Sequence, residues 1–261
     1  MSDSAAQPIT GLRPGEIGEH VFLCGDPARV ERIAAGWTGV RELANVREYR
    51  VVTGEQGGVQ LTAASGGVGA PGTAILIEEL AKVGARTLIR IGNSGGLDPA
   101  LGVGDLVITT GAVRDDGTSR SYVPVEYPAV ADHRVVAALE EAARARSVSA
   151  VTGLTWSLDG FYARNALLTP EGEIEPMCFQ GYRPPGLAER IEGMRAARVK
   201  NCEMESGVLL TLASLFGLCA GCICVVSDRT PWPGPAEIEI DRNMDACIAV
   251  ACDAMLRLAK E

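Results

Sequence analysis

The feature that most constrains this chain is a recurring unit: a short apolar run, a glycine, then a helical pattern. Residues 20–24 are apolar and end at Gly25, and Pro27 suits the first turn of a helix over 28–35. Residues 47–53 and 59–65 read as two strands around a turn at 54–58. A run of glycines then leads into a helix over 72–83, with Ile75, Leu76, Glu79 and Leu80 at helical spacing. Residues 87–91, 106–110, 150–155 and 220–227 are further strands, and the glycine-rich 92–96 follows the first of them. Helices are predicted over 132–146, 203–216 (stopped by Gly217) and 240–258. Residues 157–200 carry prolines at 170, 176, 184 and 185, so loops are expected there, with one helix near 187–194. Such alternation predicts an α/β fold with a central mixed, mostly parallel twisted sheet flanked by helices. No linker or repeat divides the chain, so one domain over 1–261 is expected, with residues 1–10 flexible.

Charge and cysteine usage narrow the function. The formal net charge is −9 over 261 residues, which argues against a nucleic-acid partner, since phosphate backbones need a basic footprint. No apolar run reaches the roughly 20 residues that span a bilayer, and the first eight residues are polar, unlike a signal peptide. Neither a membrane partner nor export is therefore expected. The eight cysteines sit mostly in apolar surroundings, as reduced buried thiols of a cytoplasmic protein do. Cys219, Cys222 and Cys224 lie in a strand-like stretch far from His20 and His133, the two histidines, so no metal site is expected.

Four segments carry candidate chemistry: Gly25-Asp-Pro-Ala-Arg29, Ser65-Gly-Gly-Val-Gly-Ala-Pro-Gly72, Arg90-Ile-Gly-Asn-Ser-Gly95 and Asn201-Cys-Glu-Met-Glu-Ser206. Three follow predicted strands, and ligands of open α/β sheets bind beyond the carboxyl ends of strands. Gly67-Val-Gly-Ala-Pro-Gly72 fits a dinucleotide fingerprint. That reading needs an acidic residue at the end of the next strand, where Arg90 stands instead. A tight strand-to-helix turn accounts for the glycines alone, and exposed N–H groups near a helix start would also attract an anion. Arg29 and Arg90, each taken alone, fit structural ion pairs; together, with Ser94 nearby, they fit a clamp on an anion. Glu203 and Glu205 are placed in the first turn of a helix, where the macrodipole favours acids.

As an ordered set, these segments resemble the nucleoside phosphorylase family that includes uridine phosphorylase and the hexameric purine nucleoside phosphorylases. Two further segments carry the resemblance: Pro124-Val-Glu-Tyr-Pro-Ala-Val-Ala-Asp132 and Phe161-Tyr162. The likeness runs from about residue 11 to 258 and is nearest the uridine phosphorylase branch. It implies phosphate-dependent cleavage of the N-glycosidic bond of a nucleoside, giving free base and ribose 1-phosphate. It further implies that Gly25, Arg29, Arg47, Arg90, Asn93 and Ser94 hold phosphate, with Arg47 reaching a neighbouring subunit's site. Met204, Glu205 and Glu203 would serve the ribose, and Phe161, Asn165 and Asp228 the base. Arg90, Glu205 and Asp228 would carry catalysis. No metal or organic cofactor is implied, only inorganic phosphate as co-substrate. A homodimer is the implied minimal unit, commonly built into a hexamer.

The chain departs from the uridine pattern in places. The glutamine and arginine that read uracil are matched by Asn165 and Leu167, and leucine cannot donate a hydrogen bond. Arg164 and Arg183 are the arginines nearest to hand as substitutes. The threonine of the phosphate loop appears as Asn93, the N-terminal histidine is replaced near Gln7 or Thr10, and about eight residues are inserted near 182–195. Ser227-Asp228 instead resembles the purine branch, where an aspartate protonates purine N7. A strand-end cap or an ion pair with Arg229 is the plain alternative for Asp228. Two alternatives remain for the whole chain: a hydrolase that cuts the same bond with water, and a nucleoside-binding protein without turnover.

Overall fold

The computed structural model describes residues 5–234 and 238–260. The first half runs β1 His20–Cys24, α1 Pro27–Ala34, β2 Thr38–Val46, β3 Tyr49–Gln56, β4 Val59–Ser65, α2 Ala70–Val83 and β5 Thr87–Gly96. It continues with β6 Leu106–Asp115, α3 Gly117–Tyr122, β7 Ala129–Val130, α4 His133–Ala145 and β8 Ala150–Leu158. Then come α5 Phe161–Arg164, β9 Ala166–Leu168, β10 Ile174–Pro176, α6 Leu187–Ala196 and β11 Asn201–Glu203. The chain closes with α7 Ser206–Phe216, β12 Cys219–Arg229, β13 Trp232–Pro233 and α8 Met244–Leu258. Among the described residues, no helix is long and apolar enough to cross a membrane.

The main sheet has the order β11-β8-β6-β12-β5-β1-β4-β3-β2, with β7 beside β6. Its centre, β4-β1-β5-β12, is parallel, while β2-β3-β4 and β6-β12 pair antiparallel. One apolar cluster joins α1, α4 and α8 to one face, including Val30, Leu139, Met255 and Ile223. A second joins α2 and α7 to the other face, through Leu76, Leu80, Leu209 and Leu88. The buried strands read as near-continuous apolar runs because both faces are covered. Asp26 caps α1 by accepting from the Ala28 N–H at 2.8 Å, with Pro27 in the first turn, and Gly217 ends α7 at φ 67°.

Several expectations shift in the structure. β5 does not stop at Ile91 but continues through the glycines to Gly96, because β11 pairs antiparallel with its end. As β11 also pairs with β8, strands β5, β12, β6, β8 and β11 close upon themselves. The glycines of 92–96 serve that closure: a β-carbon on Gly95 would lie 2.6 Å from Thr230 Oγ1, and one on Gly92 2.9 Å from Arg90 Nη2. The helix expected from 203 starts only at Ser206, and Glu203 ends a strand, since 201–203 adds to the sheet. β2 is an addition to the expected elements, and most of its residues are exposed. Of the segment expected to be flexible, residues 1–4 lie outside the described residues. From Gln7 onward it is bonded: Ile9 and Thr10 N–H donate to the Glu79 carboxylate at 2.9 and 2.8 Å.

Candidate functional site

The ends of β1, β4, β5, β11 and β12 surround a cavity of about 620 Å³. Gly25 and Arg29 reach it from the β1–α1 turn, Gly67 and Val68 from the β4–α2 turn, and Arg90, Asn93 and Ser94 from β5. Glu203, Met204 and Glu205 line it between β11 and α7, and Asp228 from β12. Phe161 and Asn165 stand at α5. Of the residues expected from the sequence, Arg47 alone lies outside: it is exposed, in the β2–β3 turn, at φ 55°.

The two arginines differ sharply. Arg29 is 7% exposed and has no carboxylate in ion-pair reach among the described residues. Its Nη1 donates to Ile91 O at 3.3 Å, and its Nε is enclosed without a partner. With the Asn93 amide turned so that its oxygen faces the guanidinium, Oδ1 accepts from Arg29 Nη2 at 3.2 Å. A cation in such a setting, offered only neutral oxygens, is poised for an anion. Arg90, in contrast, pairs with Glu203 Oε2 through Nε at 3.1 Å and with Glu205 through Nη2. Burial works against the Arg90 charge, but Glu205 and Glu203 outweigh it and hold the guanidinium ionised.

Glu203 does not face the cavity as a free acceptor. Its Oε1 accepts from Ser206 N–H at 3.0 Å and Ser206 Oγ at 2.5 Å; its Oε2 accepts from Glu205 N–H, Ser206 N–H and Arg90. Its lone pairs satisfy the orphan donors at the start of α7, so its carboxylate is engaged within the protein while the residue lines the cavity. Glu205 keeps more freedom. It accepts from Gly69 N–H at 2.5 Å and from Arg90, and burial raises its pKa against the pull of Arg90. Gly67 and Gly69 lie at φ 71° and 96°, conformations that glycine tolerates, which lets the β4–α2 turn reach that carboxylate.

Asp228 is re-aimed by a bulge. β12 pairs Val226 with Ser94 and Asp228 with Gly95, so Ser227 is the extra residue. Asp228 Oδ1 accepts from Ser227 Oγ at 2.7 Å and Oδ2 from Trp232 Nε1 at 2.6 Å. Burial raises its pKa, and those two hydrogen bonds oppose the rise. The alternative ion pair with Arg229 does not form, because Arg229 donates to Pro99 O and Leu101 O at 2.7 and 2.9 Å. Nor do the two candidate substitute arginines reach the base side. Arg164 pairs with Asp115 at 3.3 Å, and Arg183 donates to Ile174 O at 3.0 Å. Leu167 sits on β9 beside Trp232 and does not line the cavity.

Cys202 and Trp232 belong to the site without having stood out in the sequence. Cys202 lines the cavity, and Trp232 holds Asp228. The proximity of Trp232 to Ser227-Asp228 was the available signal, but nothing local says that its ring folds back onto the strand.

Residues 19–260 match the family model described as the phosphorylase superfamily. The chain is 46% identical to a uridine phosphorylase of Thermococcus kodakarensis over 87% of this chain and 78% of that one. It is 35% identical to a guanosine phosphorylase of Halorubrum lacusprofundi over 85% and 83% of the two chains. A crystal structure of uridine phosphorylase from Vibrio fischeri superposes over the full length of both chains with a TM-score of 0.82 at 26% identity.

Proposed function

We propose, from the premise that this chain belongs to the phosphorylase superfamily, that it is a pentosyltransferase cleaving nucleosides with inorganic phosphate. One observation carries the reading: a buried arginine without an acidic partner among the described residues, Arg29, shares a cavity with the buried Arg90–Glu205 pair. Arg29, with Gly25, Asn93 and Ser94, holds phosphate at one end. Glu205 and Met204 hold the ribose, and Phe161 and Asn165 face the base. A phosphate oxygen attacks C1′, the C1′–N bond breaks, and its electron pair leaves with the base. Positive charge develops on the sugar as the bond stretches. The buried Glu205 carboxylate stabilises it, and fixed groups do so without reorganising at the moment of reaction. Arg90 donates to Glu205 and to the incoming anion alike, which keeps the two negative charges apart. Orientation of the nucleophile supplies much of the remaining acceleration. This chemistry requires no metal, no organic cofactor and no covalent enzyme intermediate.

The two uridine phosphorylases named above favour a pyrimidine nucleoside, uridine, as substrate, while the guanosine phosphorylase favours a purine. A purine nucleoside is the second reading, favoured by Asp228. That carboxyl has no cationic partner among the described residues, burial raises its pKa, and it lines the same cavity, as a general acid to a leaving purine must. Arg47, exposed outside its own chain's cavity, supports a homodimer in which it completes the neighbour's phosphate site, within a hexamer. The eight free thiols support a reducing, cytoplasmic setting. A single domain over 1–261 fits the continuous sheet that β1 and β12 share. The test is a panel of uridine, cytidine, inosine, guanosine and adenosine, each with and without phosphate. Base release that rises with phosphate supports the reading. Equal release in phosphate-free buffer would make the enzyme a hydrolase.

A further inference from the structure

The base end of the cavity contains a short hydrogen-bonded chain that runs from Asn165 to two residues, Thr230 and Cys202, that the phosphorolysis itself does not use. Cys202 Sγ lies 3.7 Å from Thr230 Oγ1, and Thr230 Oγ1 lies 2.8 Å from Asn165 Oδ1. All three residues are buried. A hydroxyl has one hydrogen to give and lone pairs to receive. Where the Cys202 thiol donates to Thr230, the hydroxyl hydrogen is free to go to Asn165. Burial pushes the Cys202 thiol up to about 12, so it stays protonated and remains a donor. The Asn165 oxygen is thereby occupied. Its Nδ2 has no protein partner among the described residues, and it is not among the enclosed unpaired atoms, as Asn201 Nδ2 is. Its two N–H bonds therefore open onto the cavity that the residue lines.

We propose that Thr230 is a specificity-positioning residue: it locks the Asn165 carboxamide with nitrogen toward the base, so that the site selects bases presenting a carbonyl over those presenting an amine. This role rests on the reading of the cavity as a nucleoside site and adds what that site discriminates. An N–H donor meets the carbonyl of uracil or a 6-oxopurine. Facing the exocyclic amine of cytosine or adenine, it sets donor against donor, and a buried donor left unpaired is costly. If the carboxamide were turned over, its oxygen would select the amines instead. A hydroxyl at position 230 thus decides the sign of the preference without touching the base.

The experiment compares wild type with Thr230→Val, which keeps the shape but removes the hydroxyl, and Thr230→Ser, which keeps the hydroxyl. Two ratios of kcat/KM are read, uridine over cytidine and inosine over adenosine. The same pairs are measured as free bases by titration calorimetry, which needs no turnover. Wild type should favour the carbonyl member of each pair that the cavity admits. In Thr230→Val the ratio should fall on the order of tenfold, the loss of one ordinary hydrogen bond, and in Thr230→Ser it should return toward wild type. An amine preference in wild type, or an unchanged ratio in a folded Thr230→Val, would overturn the inference. Should Thr230→Val not fold, Thr230→Ser with a collapsed ratio overturns it equally. Lack of phosphate-dependent turnover with every nucleoside would instead sink the phosphorylase reading, while base binding still decides this one.

Discussion

Replacing Arg29 by methionine separates binding from stability. In most proteins, truncating a buried arginine destabilises the fold, because the arginine leaves a carboxylate behind. Arg29 has no such carboxylate among the described residues, and its Nε is enclosed without a partner. Without phosphate, Arg29→Met should therefore melt at or above the wild-type temperature. Phosphate binding should suffer instead. A bidentate grip by two charge-assisted hydrogen bonds is worth about 3 kcal/mol, or roughly 150-fold in phosphate affinity. At a phosphate concentration of about a hundred times its wild-type Kd, ligand linkage adds about 2.7 kcal/mol. For a chain of this size that raises the wild-type Tm by roughly 5–11 °C. At the same concentration the variant should gain only about 1 °C. Scanning calorimetry with and without phosphate, and initial rates at varied phosphate, read both effects. An unchanged KM for phosphate, or a Tm several degrees lower in phosphate-free buffer, would refute the argument.

Arg90→Met should behave oppositely. It strands Glu203 and Glu205 without their cation and should cost about 3–5 kcal/mol by denaturant unfolding as well as most activity; a stable variant with wild-type rates would remove Arg90 from the site. Glu203→Gln should lower stability by about 1–3 kcal/mol, since it turns an N–H toward the donors of Ser206 and Glu205, yet shift the nucleoside KM far less than Glu205→Gln does. Equal KM changes would make Glu203 a ribose ligand as well. Asp228→Asn should slow purine nucleosides far more than uridine, and equal losses would end its role as an acid. Because burial raises the native pKa of Asp228 above its unfolded value, its stabilising contribution is complete below the ordinary carboxylate range. It is lost as pH rises through the raised native pKa. The purine rate should decline over that same rise, and Asp228→Asn should flatten both profiles; unchanged profiles in the variant would assign them to another group.

The strands and helices around the cavity are legible in the sequence because their signals are local. Apolar runs ending in glycine mark β1 and β4, and Asp26-Pro27 marks the start of α1. β2 is not legible, since most of its residues are exposed and it bulges twice against β3. The glycines of 92–96 look like an anion loop; only the folded chain shows Arg90, Thr230 and Asp228 pressed against them. Convergence of Arg29, Arg90, Glu205 and Asp228 can be anticipated, because several carboxyl ends of strands meet at one crevice. Which carboxylate does what cannot. Glu203 and Glu205 are two residues apart and both line the cavity, yet Glu203 alone also holds the N–H groups that open α7, and that difference depends on where β11 ends. The Cys202–Thr230–Asn165 chain joins three distant segments by side chains alone, so no spacing rule reveals it.

The most direct measurement is product stoichiometry, with phosphorus NMR for the sugar phosphate and chromatography for the base. One ribose 1-phosphate should appear for each base released, at a rate that saturates in phosphate. Free ribose in place of the phosphate ester, at a rate indifferent to phosphate, would contradict the phosphorylase assignment.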